Sequence, residues 1–146
     1  MTDYDDPEVD ARWCAERREE VAEYLQREGL THGQIGADPA WHVAPYVSVW
    51  AIESLATPGN VGWWAISGDL PNDYVCADGV QDPREAVRAI ALLWQEAADC
   101  MSRGDVHPTF RIGSGQRDHE LAPLLASRAA LLLEWADDAE LWEDEG

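Results

Sequence analysis

Residues 41–85 read WHVAPYVSVWAIESLATPGNVGWWAISGDLPNDYVCADGVQDPRE. Residues 47–55 are β-branched and aromatic, with apolar side chains on both faces near the start. This is the pattern of a central strand covered on both sides. Thr57-Pro58-Gly59-Asn60 follows as a turn. Pro58 presets φ at the second position, and Gly59 supplies the positive φ that a type II turn needs at the third. Residues 61–67 form the return strand. Residues 68–73, Gly-Asp-Leu-Pro-Asn-Asp, read as a second turn, and residues 74–77 as a short third strand. The result is an antiparallel meander. Asp82-Pro83-Arg84-Glu85 then starts a helix, with Asp82 as cap, Pro83 in the first position and Glu85 placed for a capping box.

Working outward, Val87, Ile90, Trp94, Ala97 and Met101 keep helical spacing, with Ala91 and Ala98 beside them, up to Arg103-Gly104. Residues 106–115 form a loop, with 109–112 as a fourth, edge-strand candidate. A further helix covers 120–142, its apolar face carrying Leu121, Leu124, Leu125, Arg128, Leu132, Trp135 and Ala139. On the other side, residues 7–29 form a helix capped by Asp6 and stopped by Gly29, with Val9, Trp13, Val21, Tyr24 and Leu25 as its stripe. Residues 31–41 read as a loop. The expected fold is α+β: a small antiparallel meander of three strands, or four with 109–112, packed against three helices in the order α-β-β-β-α-α. The 146 residues suit one domain, with 137–146 as an acidic tail whose composition marks it for disorder.

Charge narrows the function. There are 29 acidic residues against 10 basic ones, a net charge of −19. All ten basic residues are arginine, so P-loop, Schiff-base and kinase-type lysine chemistry is excluded. Residues 134–146 alone carry net −7. Such a field repels nucleic acid and anionic membrane and attracts basic partners. No run reaches the length of a membrane span, and the acidic N-terminus lacks the apolar core of a secretory signal. The expected compartment is the cytoplasm. Three widely spaced cysteines fit that compartment as small buried apolar residues.

The run GWWAISGDLPNDYV, followed by DPREAVRAIALLWQEAADCMSRGDVHP, resembles a bacterial family of short proteins defined by a domain of unknown function. The resemblance rests on a WWxISGDLPxDY core, here Trp63, Trp64, Ile66, Ser67, Gly68, Asp69, Leu70, Pro71, Asp73 and Tyr74. It covers residues 45–115. It implies a bacterial cytoplasmic protein and carries no activity with it.

Candidate sites are few. Asp69 and Asp73 flank a Leu-Pro-Asn segment beside aromatics, a pattern suited to gripping a partner's arginine or lysine, or simply to turn chemistry. Trp63 points opposite to Trp64 on its strand. Trp142 sits among Asp137, Asp138 and Glu140. Exposed tryptophan ringed by acid is what a hot spot for a basic partner looks like, the plainer alternative being packing of the tail. His32, His42, His107 and His119 are scattered, so no metal site is expected. Ser114 lacks the strand-to-helix context of a nucleophile elbow. No residue pattern calls for a cofactor or marks a catalytic centre.

Two readings follow. The first is an acidic protein-binding domain, an inhibitor or immunity-type partner of a basic protein such as a nuclease-like toxin. The alternative is a small enzyme or ligand binder with a pocket between sheet and helices, lined by Asp69, Asp73, Glu53, Arg111 and His107. DNA mimicry is disfavoured by the shortness of the acidic tail.

Overall fold

Asp6 starts the first helix. Its carboxylate accepts the Glu8 amide at 2.9 Å, and Pro7 takes the first helical position, where a missing N–H costs nothing. In the computed structural model, which describes residues 4–102, 118–138 and 142, this helix is α1, Pro7–Arg27. Gly29, at φ +71°, lets the chain leave it. Four strands follow: β1 Trp41–Val43, β2 Val47–Glu53, β3 Val61–Gly68 and β4 Leu70–Cys76. Helices α2 Pro83–Ser102 and α3 Asp118–Asp137 complete the order. The sheet runs β1-β2-β3-β4 with each neighbour antiparallel, so it is a meander. The fold is α+β, in the order α-β-β-β-β-α-α.

Local signals hold where they are strongest. Asn60 donates to the Thr57 carbonyl at 3.0 Å and Gly59 has φ +88°, as the Pro-Gly turn requires. The Glu85 amide donates to Asp82 Oδ1 at 2.8 Å, while the Glu85 carboxylate reaches back to the Gln81 amide at 2.8 Å.

Two parts of the sheet differ from expectation. Trp41–Val43, the end of an expected loop and its flank, form a strand because Trp41 pairs with Val49 and His42 with Ser48. Three residues carry no local pattern, and long-range pairing makes them a strand. Residues 68–73 are also not a wide turn. β3 runs to Gly68 and β4 starts at Leu70, leaving Asp69 alone at the corner. Gly68 sits at φ +149° with the Tyr46 carbonyl against its α-carbon, where a side chain would collide. The expected strand at 109–112 and the expected helix end at Arg103-Gly104 lie outside the described residues.

The chain forms two compact units, Met1–Ala86 and Val87–Gly146. In the first, α1 lies on one face of the sheet. Alternation places Ser48, Trp50 and Ile52 of β2, Trp63, Ala65 and Ser67 of β3, and Tyr74 of β4 on that face. Trp13, Cys14, Val21 and Leu25 of α1 close over Trp50, Ile52, Ala65 and Ile35. On the opposite face Val47, Val49 and Ile66 are fully buried, so β2 is buried on both sides.

A polar chain runs beneath α1. The Trp50 indole donates to Ser48 Oγ at 2.9 Å, and Ser48 Oγ donates to the Ser67 carbonyl at 2.9 Å. Ser67 Oγ donates to Glu20 Oε1 at 2.7 Å, and Arg17 holds the other Glu20 oxygen at 2.7 Å. Both serines are fully buried, and each hydroxyl is bonded, so the chain fixes α1 in one register on the sheet.

In the second unit, α2 buries Val87, Ile90, Ala91, Trp94 and Ala97 completely, matching its periodicity. α3 buries Ala122, Leu125, Ala129, Leu132 and Ala136. Leu124, expected on this face, is exposed, because alanines rather than the larger leucine complete the 3–4 spacing. Arg88 of α2 donates to the Ala136 carbonyl at 3.2 Å and pairs with Asp137 at 3.0 Å, joining the start of α2 to the end of α3.

Candidate functional site

Asp10 and Cys14 stand one helical turn apart on α1, so both project toward the same side. His42 arrives from β1, on the sheet face that carries Ser48, its pairing partner. Its Nε2 lies 2.9 and 3.1 Å from the two Asp10 oxygens. Cys14 Sγ is 4.0 Å from Asp10 Oδ2. The His42 ring stacks on Trp13, with centroids 6.1 Å apart and planes at 25°. Arg18, a further turn along α1, donates to the carbonyls of Ile35 and Gly36 at 2.9 Å each. It thereby ties the segment before β1 to the helix and builds the second wall of a cleft.

That cleft holds about 570 Å³ and is lined by Asp10, Cys14, Arg18, Glu19, Asp38 and His42, with small residues between them. Burial, with the Asp10 and Asp38 carboxylates, pushes the Cys14 thiol up to about 11. At neutral pH it is a thiol facing carboxylates, not an activated nucleophile, which disfavours cysteine–histidine acyl chemistry in the free chain. Among the described residues, Asp10, Cys14 and His42 are the one group of three metal-ligating side chains that converge.

The residues singled out in the sequence fall in both units. Asp69 is exposed at the β3–β4 corner, and its amide donates to the carbonyl of Tyr46, itself 50% exposed. Asp73 is buried instead, pairs with Ile66 across the sheet, and accepts the Tyr74 amide at 2.8 Å. Trp63 is half-buried against the core beneath α1 rather than exposed, because that face of β3 is the covered one. Trp142 is buried as well, its indole donating to the Trp135 carbonyl at 3.0 Å, so the tail packs at this residue. Asp137 and Asp138 are exposed, and Glu140 lies outside the described residues.

Of the residues named for a pocket between sheet and helices, Glu53 and Asp73 stand well apart on the sheet. Glu53 pairs with Val61 and Asp73 with Ile66, five residues further along β3, roughly 17 Å at strand rise. Arg111 and His107 lie outside the described residues. The Glu53 carboxylate accepts the amides of Gln34 and Gly59 at 3.0 Å each, which holds its pKa below the usual carboxylate value. Its role is to join the segment before β1 to the β2–β3 turn.

Residues 8–142 match the model of a family described as a domain of unknown function (DUF4826). The chain belongs to this family. No curated protein and no solved structure matches it. The DUF4826 match reaches well beyond the 45–115 stretch that carries the sequence resemblance, taking in most of α1, β1 and Trp142. It therefore includes Asp10, Cys14 and His42.

The cleft was hidden in the sequence for a simple reason. Counting histidine pairs finds nothing, because the site uses one histidine, one cysteine and one aspartate. The only local trace is the Asp10–Cys14 spacing, and His42 lies 32 residues beyond Asp10. Of the three cysteines, Cys14 is buried as expected, while Cys76 is exposed at the end of edge strand β4 and Cys100 is half-buried.

Proposed function

We propose that this chain is an acidic protein-binding domain, an inhibitor or immunity-type partner of a basic protein such as a nuclease-like toxin, working in the bacterial cytoplasm. The observation that carries the reading is the net charge of −19 without a single lysine. Glu8, Glu16, Glu19, Glu23 and Glu28 are exposed along and just beyond α1. Exposed Asp69 stands beside exposed Tyr46, which supplies the aromatic-plus-acid corner that a partner's arginine would seek. Because Trp63 is half-buried and Trp142 buried, the favoured contact moves away from those residues and toward this corner. Such a surface raises the association rate with a cationic partner and occludes it once bound. The cysteines described form no disulfide, in keeping with a reducing compartment, and no helix among the described residues is long and apolar enough to cross a membrane.

The test compares the tagged chain with its Asp69→Arg/Tyr46→Ala variant as bait in native lysate. The reading expects one basic protein held by the parent through a high-salt wash and lost by the variant. Equal capture by both baits would remove the corner from the account.

A further inference from the structure

We propose that Asp10, Cys14 and His42 form a site for a zinc-class divalent cation, held by one carboxylate oxygen, one thiolate and one imidazole nitrogen, with a fourth position open to the cleft. The proposal is independent of the partner reading and rests on geometry and donor chemistry.

Geometry comes first. One donor atom from each of the three residues lies within 4.8 Å of the others. A tetrahedral site with bonds of about 2.0–2.3 Å sets its donors roughly 3.3–3.7 Å apart. Measured to one oxygen, Asp10 Oδ2, the separations are 3.1 Å from the His42 nitrogen and 4.0 Å from the Cys14 sulfur, and they straddle that range. Closing even the widest separation allowed, 4.8 Å, to that range takes movements of about an ångström shared between two side chains.

The donors are also held in place before any ion arrives. Asp10 and Cys14 share the rigid frame of α1, and Cys14 is anchored in the core beneath it. The Trp13 stack holds the His42 ring. Arg18, the one arginine lining the cleft, has its guanidinium engaged with the Ile35 and Gly36 carbonyls. Asp38 and Glu19 add negative charge to the lining, so the cleft favours a cation.

The donor set then selects among cations. Magnesium and calcium prefer all-oxygen shells, whereas a sulfur, a nitrogen and one carboxylate oxygen suit zinc and its close analogues. Three protein donors with an open fourth position is the arrangement in which such an ion keeps a water or takes a ligand group. A bound ion would displace the thiol proton and clamp α1 to β1.

The experiment titrates the metal-free full-length chain with Co²⁺ and records its near-ultraviolet and visible spectra. Expected are saturation at one equivalent, a thiolate-to-cobalt charge-transfer band, and displacement by Zn²⁺. Cys14→Ser should abolish the band. His42→Ala and Asp10→Asn should each weaken Co²⁺ binding by at least about tenfold, since even outer partners of such sites are worth that much. A Cys76→Ser/Cys100→Ser double variant should behave as the parent. Far-UV circular dichroism checks that each variant is folded. No thiolate band in the parent, or a band that survives Cys14→Ser, overturns the proposal. If Cys14→Ser does not fold, His42→Ala decides, and unchanged Co²⁺ affinity there overturns it as well.

Discussion

Replacing Ser48 by alanine removes one oxygen and breaks the polar chain beneath α1 at its sheet end. Ser48 is fully buried, and its hydroxyl serves two partners at once, accepting from the Trp50 indole and donating to the Ser67 carbonyl, each at 2.9 Å. Alanine fits the space but leaves the indole N–H, on a fully buried tryptophan, with no acceptor on that residue. An orphaned buried donor costs about 1–3 kcal/mol, and loss of the second bond adds about 1 kcal/mol. The expected destabilisation is about 2–4 kcal/mol, large against the total stability of about 5–15 kcal/mol typical of a native protein. Urea unfolding followed by far-UV circular dichroism should show the midpoint falling by roughly 1–2 M, for a slope of about 2 kcal/mol per molar. Ser54→Ala is the control. The Ser54 hydroxyl accepts the Thr57 amide at 3.2 Å in an exposed turn, and its loss should cost no more than about 0.5 kcal/mol. If Ser48→Ala and Ser54→Ala shift the midpoint equally, the buried Ser48 bonds do not carry the stability ascribed to them.

Two further perturbations address the frame around the site. Glu53→Gln tests the carboxylate that joins the Gln34 and Gly59 amides. Its folded pKa is lowered, so its contribution is complete above the unfolded value and disappears as pH falls through the folded one. The parent should therefore exceed Glu53→Gln in stability at neutral pH, with the gap closing in acid, and urea midpoints across that range would show it. A gap independent of pH would mean the charge is irrelevant there. Gly68→Ala puts a β-carbon 2.9 Å from the Tyr46 carbonyl carbon and the Val47 α-carbon, at a positive φ. Backbone strain alone should cost about 1–3 kcal/mol, and a thermal midpoint equal to the parent's would refute the close approach.

Much of the fold was legible because its signals are local. Asp6-Pro7, Pro58-Gly59 and Asp82-Pro83-Arg84-Glu85 each specify a start or a reversal within four residues, and all three behave so in the structure. β1 was not legible, because three residues between an alanine and an Ala-Pro pair become a strand only through partners on β2. The β3–β4 corner was misread because Gly68 makes the reversal nearly alone, while Pro71 and Asn72, which look like turn residues, belong to an edge strand. Exposure was the weakest inference. Alternation correctly sends Trp63 and Trp64 to opposite faces, but it could not say that α1 covers the Trp63 side. The cleft escaped for the same reason, since its donors meet only after α1 and β1 have docked on β2.

The binding reading stands or falls on whether the acidic surface has one cognate basic partner. The most direct measurement is the stoichiometry of what the tagged full-length chain retains from native lysate after loading at low salt and washing at high salt. The account predicts a single basic protein in near-equal amount, whose association with the purified chain slows steeply as salt rises while the formed complex persists. A mixture that washes away completely would contradict it, and would leave the charge as a solubility device.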